Sequence, residues 1–265
     1  MKILQLTDVH FASYPFEGKD KKTEALIRKL IDSNRPEMIA VTGDLVWGVE
    51  RESLGIVEGV LDFLDSFGIP VAIIWGNHDS EKDFGRRELF HLIDRMANHV
   101  KKENRVLIGE REIYTVDIDE ENRLILLDSG DYDELGVGHY AFIYPEQIEA
   151  VRERAPKDGR ACHLFMHIPV AEYDLAKKEG LATGNQDEEV CSPVLNTGLY
   201  GHLKYGSNVQ NIFCGHDHDN DFSANYHGIG LHYGRVTGYN SYGSLARGGR
   251  IIDIDGLNVE SYIVE

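Results

Sequence analysis

Short apolar runs alternate with amphipathic stretches through the first third of the chain. Lys2 to Thr7 reads as a strand. Lys21 to Ser33 carries Ala25, Leu26, Leu30 and Ile31 at helical spacing, and Pro36 supplies a stop. Met38 to Val41 is a second buried strand. Ser53 to Phe67 is again helical, with Val57, Val60, Leu61, Leu64 and Phe67 on one stripe and Gly68 closing it. Val71 to Ile74 is a third apolar run. The order β-α-β-α-β predicts parallel strands joined by right-handed crossovers.

Further along, Phe84 to Val100 reads as a helix, and Glu112 to Asp117 with Arg123 to Leu127 as strands around an acidic turn. Asp128 to Tyr144 is a Gly- and Tyr-rich loop. Pro145 opens a helix that runs to Arg154. Ala161 to Met166 is a strand, Ala171 to Lys178 a short helix, Gly180 to Ser192 an acidic loop beside the site, and Val194 to Tyr205 a weak helix. Val209 to Phe213 is a strand. The segments Asp221–His227, Gly230–Arg235, Gly249–Asp255 and Leu257–Val264 are short and punctuated by glycine, the pattern of C-terminal antiparallel hairpins. No internal repeat or linker divides the chain, so residues 1–265 are expected to form one α/β domain.

Five of the apolar runs end in the same unusual chemistry: Asp8-Val9-His10, Gly43-Asp44, Gly76-Asn77-His78-Asp79, His167, and Gly215-His216-Asp217-His218. Packing a core does not call for carboxylates, an amide and imidazoles in these positions. In open α/β sheets, functional groups gather beyond the carboxyl ends of the strands, so these endings can meet at one edge. As alternate residues of an extended segment, Asp8 and His10 are expected to face one point. The mixed N and O donors suit Mn, Fe, Zn or Ni. They exceed what one ion needs, which implies two divalent transition-metal ions.

The formal net charge of −18 disfavours long nucleic acids as partners. No apolar stretch reaches the ~18 residues of a membrane span, so no membrane partner is expected. Cys162, Cys191 and Cys214 show no CxxC spacing, which fits a reducing cytoplasmic setting.

In this order and each after a strand, the five motifs resemble those of the calcineurin-like metallophosphoesterases, over essentially the whole chain. The stretch Gly215–Phe222, with Tyr233–Tyr239 downstream, is similar to single-domain phosphatases related to purple acid phosphatases. That resemblance implies two mixed β-sheets packed as a sandwich with helices outside. It implies that Asp8, His10 and His218 hold one ion, that Asn77, His167 and His216 hold the other, and that Asp44 bridges them. A hydroxide between the ions would attack phosphorus. His78 would contact the phosphoryl oxygen or protonate the leaving group, and Asp79 would orient His78. Arg235 is read as a further phosphate contact, with a surface arginine as the alternative. His91, His99, His139, His163, His202, His227 and His232 are read as structural or surface residues.

The chain departs from the purple enzymes in carrying Trp47 where they have an iron-binding tyrosine, and in having His10. The first site should therefore take a divalent ion. The activity implied is hydrolysis of phosphomonoesters on small phosphorylated substrates or phosphoproteins. The alternatives are a phosphodiesterase for cyclic nucleotides or other small diesters and, third, a non-enzymatic metal-binding scaffold.

Overall fold

The computed structural model describes residues 1–47, 53–81, 84–155 and 159–265. Three strands, β1 (Lys2–Leu6), β2 (Met38–Thr42) and β3 (Val71–Ile74), run parallel, linked through α1 (Gly18–Asn34) and α2 (Ser53–Asp65). After β3 come α3 (Arg86–Ile93), the antiparallel strands β4 (Glu103–Ile108), β5 (Arg111–Asp117) and β6 (Asn122–Leu127), then α4 (Pro145–Arg154). They are followed by β7 (Ala161–Phe165), α5 (Glu172–Lys178), α6 (Leu199–Gly206), β8 (Val209–Cys214), β9 (Ser223–Tyr226), β10 (Ile229–Tyr233), β11 (Gly249–Asp255) and β12 (Asn258–Val264). The strands form two mixed sheets, one in the order β12-β11-β1-β2-β3 and one in the order β4-β5-β6-β7-β8-β10-β9.

The period of two along each strand sorts side chains between two cores. Ile3, Met38, Ala40, Ala72, Ile74, Ile252 and Ile254 face the second sheet, whereas Leu4, Leu6, Ile39, Val41, Val71, Ile73 and Ile251 face the layer of α1, α2 and α3. Both faces of the five-stranded sheet are covered, which is why its strands read as continuous apolar runs. Buried polar groups lock the sheets together. The Tyr114 hydroxyl donates to Ile73 O (2.8 Å) and accepts from Ile73 N (3.0 Å). Arg250, 2% exposed, donates from β11 to Tyr233 O (2.7 Å) and Asp221 O (2.8 Å).

Several expectations change. The helix read over Phe84–Val100 is only α3; the chain then turns, and His99 forms a parallel bridge with Val71, the first residue of β3. β4 was not expected. It is a charged edge strand whose side chains are mostly half-buried or exposed, so no apolar alternation marks it. α6 starts five residues later than the helix read from Val194. The C-terminal hairpins also part company. β9 and β10 extend the seven-stranded sheet, β10 lying parallel to β8, while β11 joins the other sheet antiparallel to β1 and β12 pairs antiparallel with β11 at its edge.

Candidate dinuclear metal centre

The carboxyl ends of β1, β2, β3, β7 and β8 meet where the two sheets abut. Beyond β1 and β2 the backbones stay paired: Asp8 N donates to Gly43 O (3.1 Å) and His10 N to Asp44 O (2.9 Å). Asp8 and His10 do face one point, but not as an extended strand. Their φ values are 52° and 49°, with Asp44 at 51° and His216 at 83°. Each left-handed turn of a non-glycine residue costs about 1–3 kcal/mol, and neighbouring bonds hold it in place. Asp8 O accepts from Ser241 Oγ (2.8 Å) and Gly238 N (3.0 Å), and His10 O from Asn240 Nδ2 (2.9 Å). Glycine is required where the loops close up. A Cβ on Gly76 would lie 2.2 Å from Asp44 Oδ1, and one on Gly215 1.9 Å from Thr7 Oγ1.

The donor atoms converge in two groups that share Asp8 and lie side by side. Asp8, His10 and His218 offer ligand atoms within 4.8 Å of one another, as do Asp8, Asp44 and His167. His218 Nε2 lies 3.3 Å from Asp8 Oδ1 and 3.4 Å from His10 Nε2. His167 Nε2 lies 3.1 Å from Asn77 Oδ1 and 3.3 Å from His216 Nδ1. Asp44 of the second group also reaches the first: its Oδ2 is 3.4 Å from His167 Nε2 and 3.6 Å from His10 Nε2. Thus Asp8, His10, Asp44, Asn77, His167, His216 and His218 are gathered in one place.

His167 Nε2 faces Asn77 Oδ1, His216 Nδ1 and Asp44 Oδ2, and it can hold one hydrogen among these three acceptors. The unmatched lone pairs suit a cation, so the donor set fits metal ions. His167 Nδ1 is committed to Thr42 O (2.8 Å), which turns Nε2 to the centre. Burial acts against charge on Asp8, His10, Asp44, His167 and His216. It holds His10 and His216 at about 3. On Asp8 burial is outweighed by His218 and His167, leaving the carboxyl at about 2, and on Asp44 by His167 and His10, which hold it well below the usual range. His167 is pushed the other way, to about 10, because Asp44 and Asp8 outweigh its burial. Asp44 and Asp8 thus favour a positive charge at this point, one that a bound cation would supply.

The residues around the donors are arranged differently from expectation. The Asp79 carboxylate does not reach His78. It accepts four backbone N–H groups, from Gly76 (2.7 Å), Leu45 (2.8 Å), Asp44 (2.9 Å) and Val46 (3.1 Å), and so ties the β3 turn to the β2 turn. His78 Nδ1 instead lies 2.8 Å from Glu81 Oε1. Burial works against its cation, but Glu81 and Asp44 outweigh it and raise His78 above the usual imidazole range. Arg235 is not a surface residue. It is buried, paired with Asp221 Oδ2 (2.6 Å) and Glu265 Oε1 (3.3 Å), and it donates to Ala246 O (2.8 Å).

Aromatic rings surround the donors. Trp47 stacks on His10 at 4.0 Å and Tyr242 on His218 at 3.9 Å, and Tyr140 meets His216 edge-on at 4.3 Å. Tyr132 reaches Glu81 and Asn77 through its hydroxyl, whereas Tyr144 packs under Arg111. Sequence reasoning missed Glu81, Tyr242 and Arg86. The last is a buried cation that donates to Asp128 (2.8 Å), to Asp131 and to Gly76 O (3.0 Å), pinning the loop after β3 to the end of β6.

Residues 1–220 match the Calcineurin-like phosphoesterase family, and the chain belongs to that family. "Probable inactive purple acid phosphatase 14" of Arabidopsis thaliana is 30% identical over 95% of this chain and 74% of its own length. "Probable cyclic nucleotide phosphodiesterase" of Psychrobacter arcticus is 26% identical over 82% of this chain and 74% of its own. Among solved structures, a dimetal phosphatase from Danio rerio shares the fold with a TM-score of 0.68 at 16% identity, covering 98% of this chain and 95% of that one.

Proposed function

We propose that this chain is a dinuclear metal-dependent phosphoesterase that hydrolyses phosphomonoesters. The observation that carries the reading is the position of Asp44 Oδ2, 3.4 Å from His167 Nε2 and 3.6 Å from His10 Nε2. One carboxylate oxygen stands between two donor sets, as a bridge between two cations must. Asp8, His10 and His218 would hold one ion and Asn77, His167 and His216 the other, with Mn, Fe, Zn or Ni suited to the donors. When bound, such ions supply Lewis acidity at the phosphoryl oxygens and a nucleophilic water at neutral pH. His78 stands beside the donors without being bonded into them, its ring centroid 5.3 Å from that of His10. It would donate to the phosphoryl group or to the leaving oxygen. Arg235, engaged by Asp221 and Glu265, takes no part. A small phosphorylated molecule or a phosphoprotein is the substrate class. Cys162, Cys191 and Cys214 form no disulfide with one another, which supports a reducing, cytoplasmic setting.

Two other readings have specific support. The relative named as a cyclic nucleotide phosphodiesterase favours small diesters. The relative named as probably inactive favours a metal-binding scaffold; the presence in this chain of all seven donors and of His78 speaks against it. The test is kcat/KM for a monoester and a diester with the same leaving group at fixed Mn, on the parent and on His78→Ala. The expected result is a monoester preference and a loss of about 10²–10⁴-fold in the variant with its metals retained. A tenfold diester preference promotes the second reading, and no turnover of either substrate the third.

A further inference from the structure

We propose that Glu81 is the positioning residue of His78, and that Tyr132 ties this pair to Asn77. The proposal rests on the phosphoesterase reading only where it concerns rate. Asp79 cannot orient the imidazole, because its carboxylate is committed to four amides on the far side of the turn. Glu81 follows His78 by three residues, and the turn over residues 77–80 brings their side chains together: Oε1 lies 2.8 Å from His78 Nδ1. The same oxygen accepts the Tyr132 hydroxyl at 2.5 Å, and Asn77 Nδ2 donates to that hydroxyl at 3.4 Å. Side chains that face the centre from two loops are thereby joined through one carboxylate.

The supports of Glu81 are themselves fixed. Ser80 Oγ donates to Asp131 Oδ2 (3.0 Å) and accepts from Arg86 Nη1 (2.7 Å), so the residue before Glu81 is held against the residue before Tyr132. Trp47 closes the other side of His78, edge to face at 4.7 Å. The contact is short but bent away from a hydrogen-bond line; a carboxylate this close to Nδ1 favours the hydrogen on that nitrogen and turns Nε2 away from it. In this chain that leaves Nε2 as the nitrogen available to substrate. The bond to Tyr132 keeps the Asn77 amide hydrogens away from the centre and its Oδ1 toward His167. Glu81 therefore sets both the tautomer and the angle of a group that touches substrate, without touching substrate itself.

Two measurements test this. The first is steady-state turnover of p-nitrophenyl phosphate by Mn-loaded protein. Glu81→Gln should lower kcat about 10–100-fold, with KM within about twofold and metal content unchanged. Glu81→Asp should recover part of the loss, and Tyr132→Phe should show a smaller one. The second is proton–nitrogen NMR of the zinc-loaded full chain labelled at its histidine rings. A downfield Nδ1–H signal, assigned to His78 by its absence in His78→Gln, should vanish in Glu81→Gln and return in Glu81→Asp. An unchanged kcat, an unmoved His78 signal, or loss of metal in Glu81→Gln each overturns the proposal. If the parent hydrolyses nothing, the phosphoesterase reading fails and the NMR arm still decides the positioning role. If Glu81→Gln does not fold, Tyr132→Phe carries the NMR comparison, with a shifted His78 signal expected and an unshifted one overturning the link.

Discussion

The indole of Trp47 lies stacked on the imidazole of His10, with ring centroids 4.0 Å apart and planes inclined by 28°. A purple acid phosphatase has an iron-binding phenol at this position in its motif; here there is a ring that buries His10 and carries no oxygen. Iron added to the protein should therefore give no visible tyrosinate charge-transfer band. Two of the nearby phenols are already used, Tyr132 donating to Glu81 and Tyr242 to Glu188 (2.5 Å each). The check is the visible spectrum of ferric-loaded parent protein. A strong band that disappears in Tyr242→Phe or Tyr132→Phe would show that a different phenol reaches the metal.

Asp44 is asked to serve two donor groups at once, and its Oδ1 also accepts the His78 backbone N–H at 2.9 Å. Asp44→Asn would leave an amide hydrogen or a neutral oxygen between the two positive charges. The expected outcome is loss of most metal from both positions and a fall in activity of at least about 10³-fold, on the scale of a residue whose removal disables a site as a unit. Elemental analysis of the purified variant decides. Two metals per chain with most of the rate intact would remove Asp44 from the bridging role.

Asp79 makes the opposite prediction, since its four amide bonds are structural. Asp79→Ala strands buried N–H groups of Gly76, Asp44, Leu45 and Val46, each worth about 1–3 kcal/mol if left without a partner. Local relaxation and water recover part of that, so a net loss of about 3 kcal/mol is expected. For a chain of this size that lowers Tm by roughly 6–12 °C. At a temperature where the variant is folded, its kcat should fall less than that of Glu81→Gln. A variant of unchanged Tm but crippled kcat would return Asp79 to the role of orienting His78.

The contrast between Asp79 and Glu81 shows what could be read from the chain and what could not. The donors were legible because each follows an apolar run that must be a buried strand, and parallel strands put their carboxyl ends on one edge. The parallel core of β1, β2 and β3 was legible for the same reason. Which carboxylate serves His78 was not, because adjacency in sequence is not adjacency in space. The turn after β3 directs Asp79 inward to amides and Glu81 back onto the ring. Tyr242 and Tyr132 arrive from distant loops, and nothing local marks them. The burial of Arg235 was not legible because its partners, Asp221 and Glu265, become neighbours only when β11 and β12 close on the first sheet. β4 escaped because a solvated edge strand lacks the apolar pattern that reveals a buried one.

A last prediction concerns stability away from the metal centre. His163 on β7 and His232 on β10 share Asn211 on β8. His163 Nδ1 lies 3.1 Å from Asn211 Nδ2, and His232 Nε2 lies 3.1 Å from Asn211 Oδ1. The amide hydrogens of Asn211 occupy the one lone pair of His163, whose Nε2 faces Asn122 Oδ1 at 3.3 Å. A second proton on His163 would point at those hydrogens. Burial, opposed only by Asp119, takes His163 from the usual 6.5 down to about 4, and burial together with Arg250 takes His232 to about 3. The folded state thus binds fewer protons than the unfolded state between about pH 4 and 6.5. Stability is full above that window and is lost as the pH falls through it, at about 1.4 kcal/mol per pH unit for each such group. Replacing one of them should remove one group's share of the slope. Urea melts of the parent and of His163→Gln, in the same chelator-containing buffers from pH 7 to pH 4.5, measure it. The variant starts out less stable near pH 7 and should converge toward the parent as the pH falls. Parallel curves across that range would mean that His163 is protonated in the folded protein, and that the bonding through Asn211 has another arrangement.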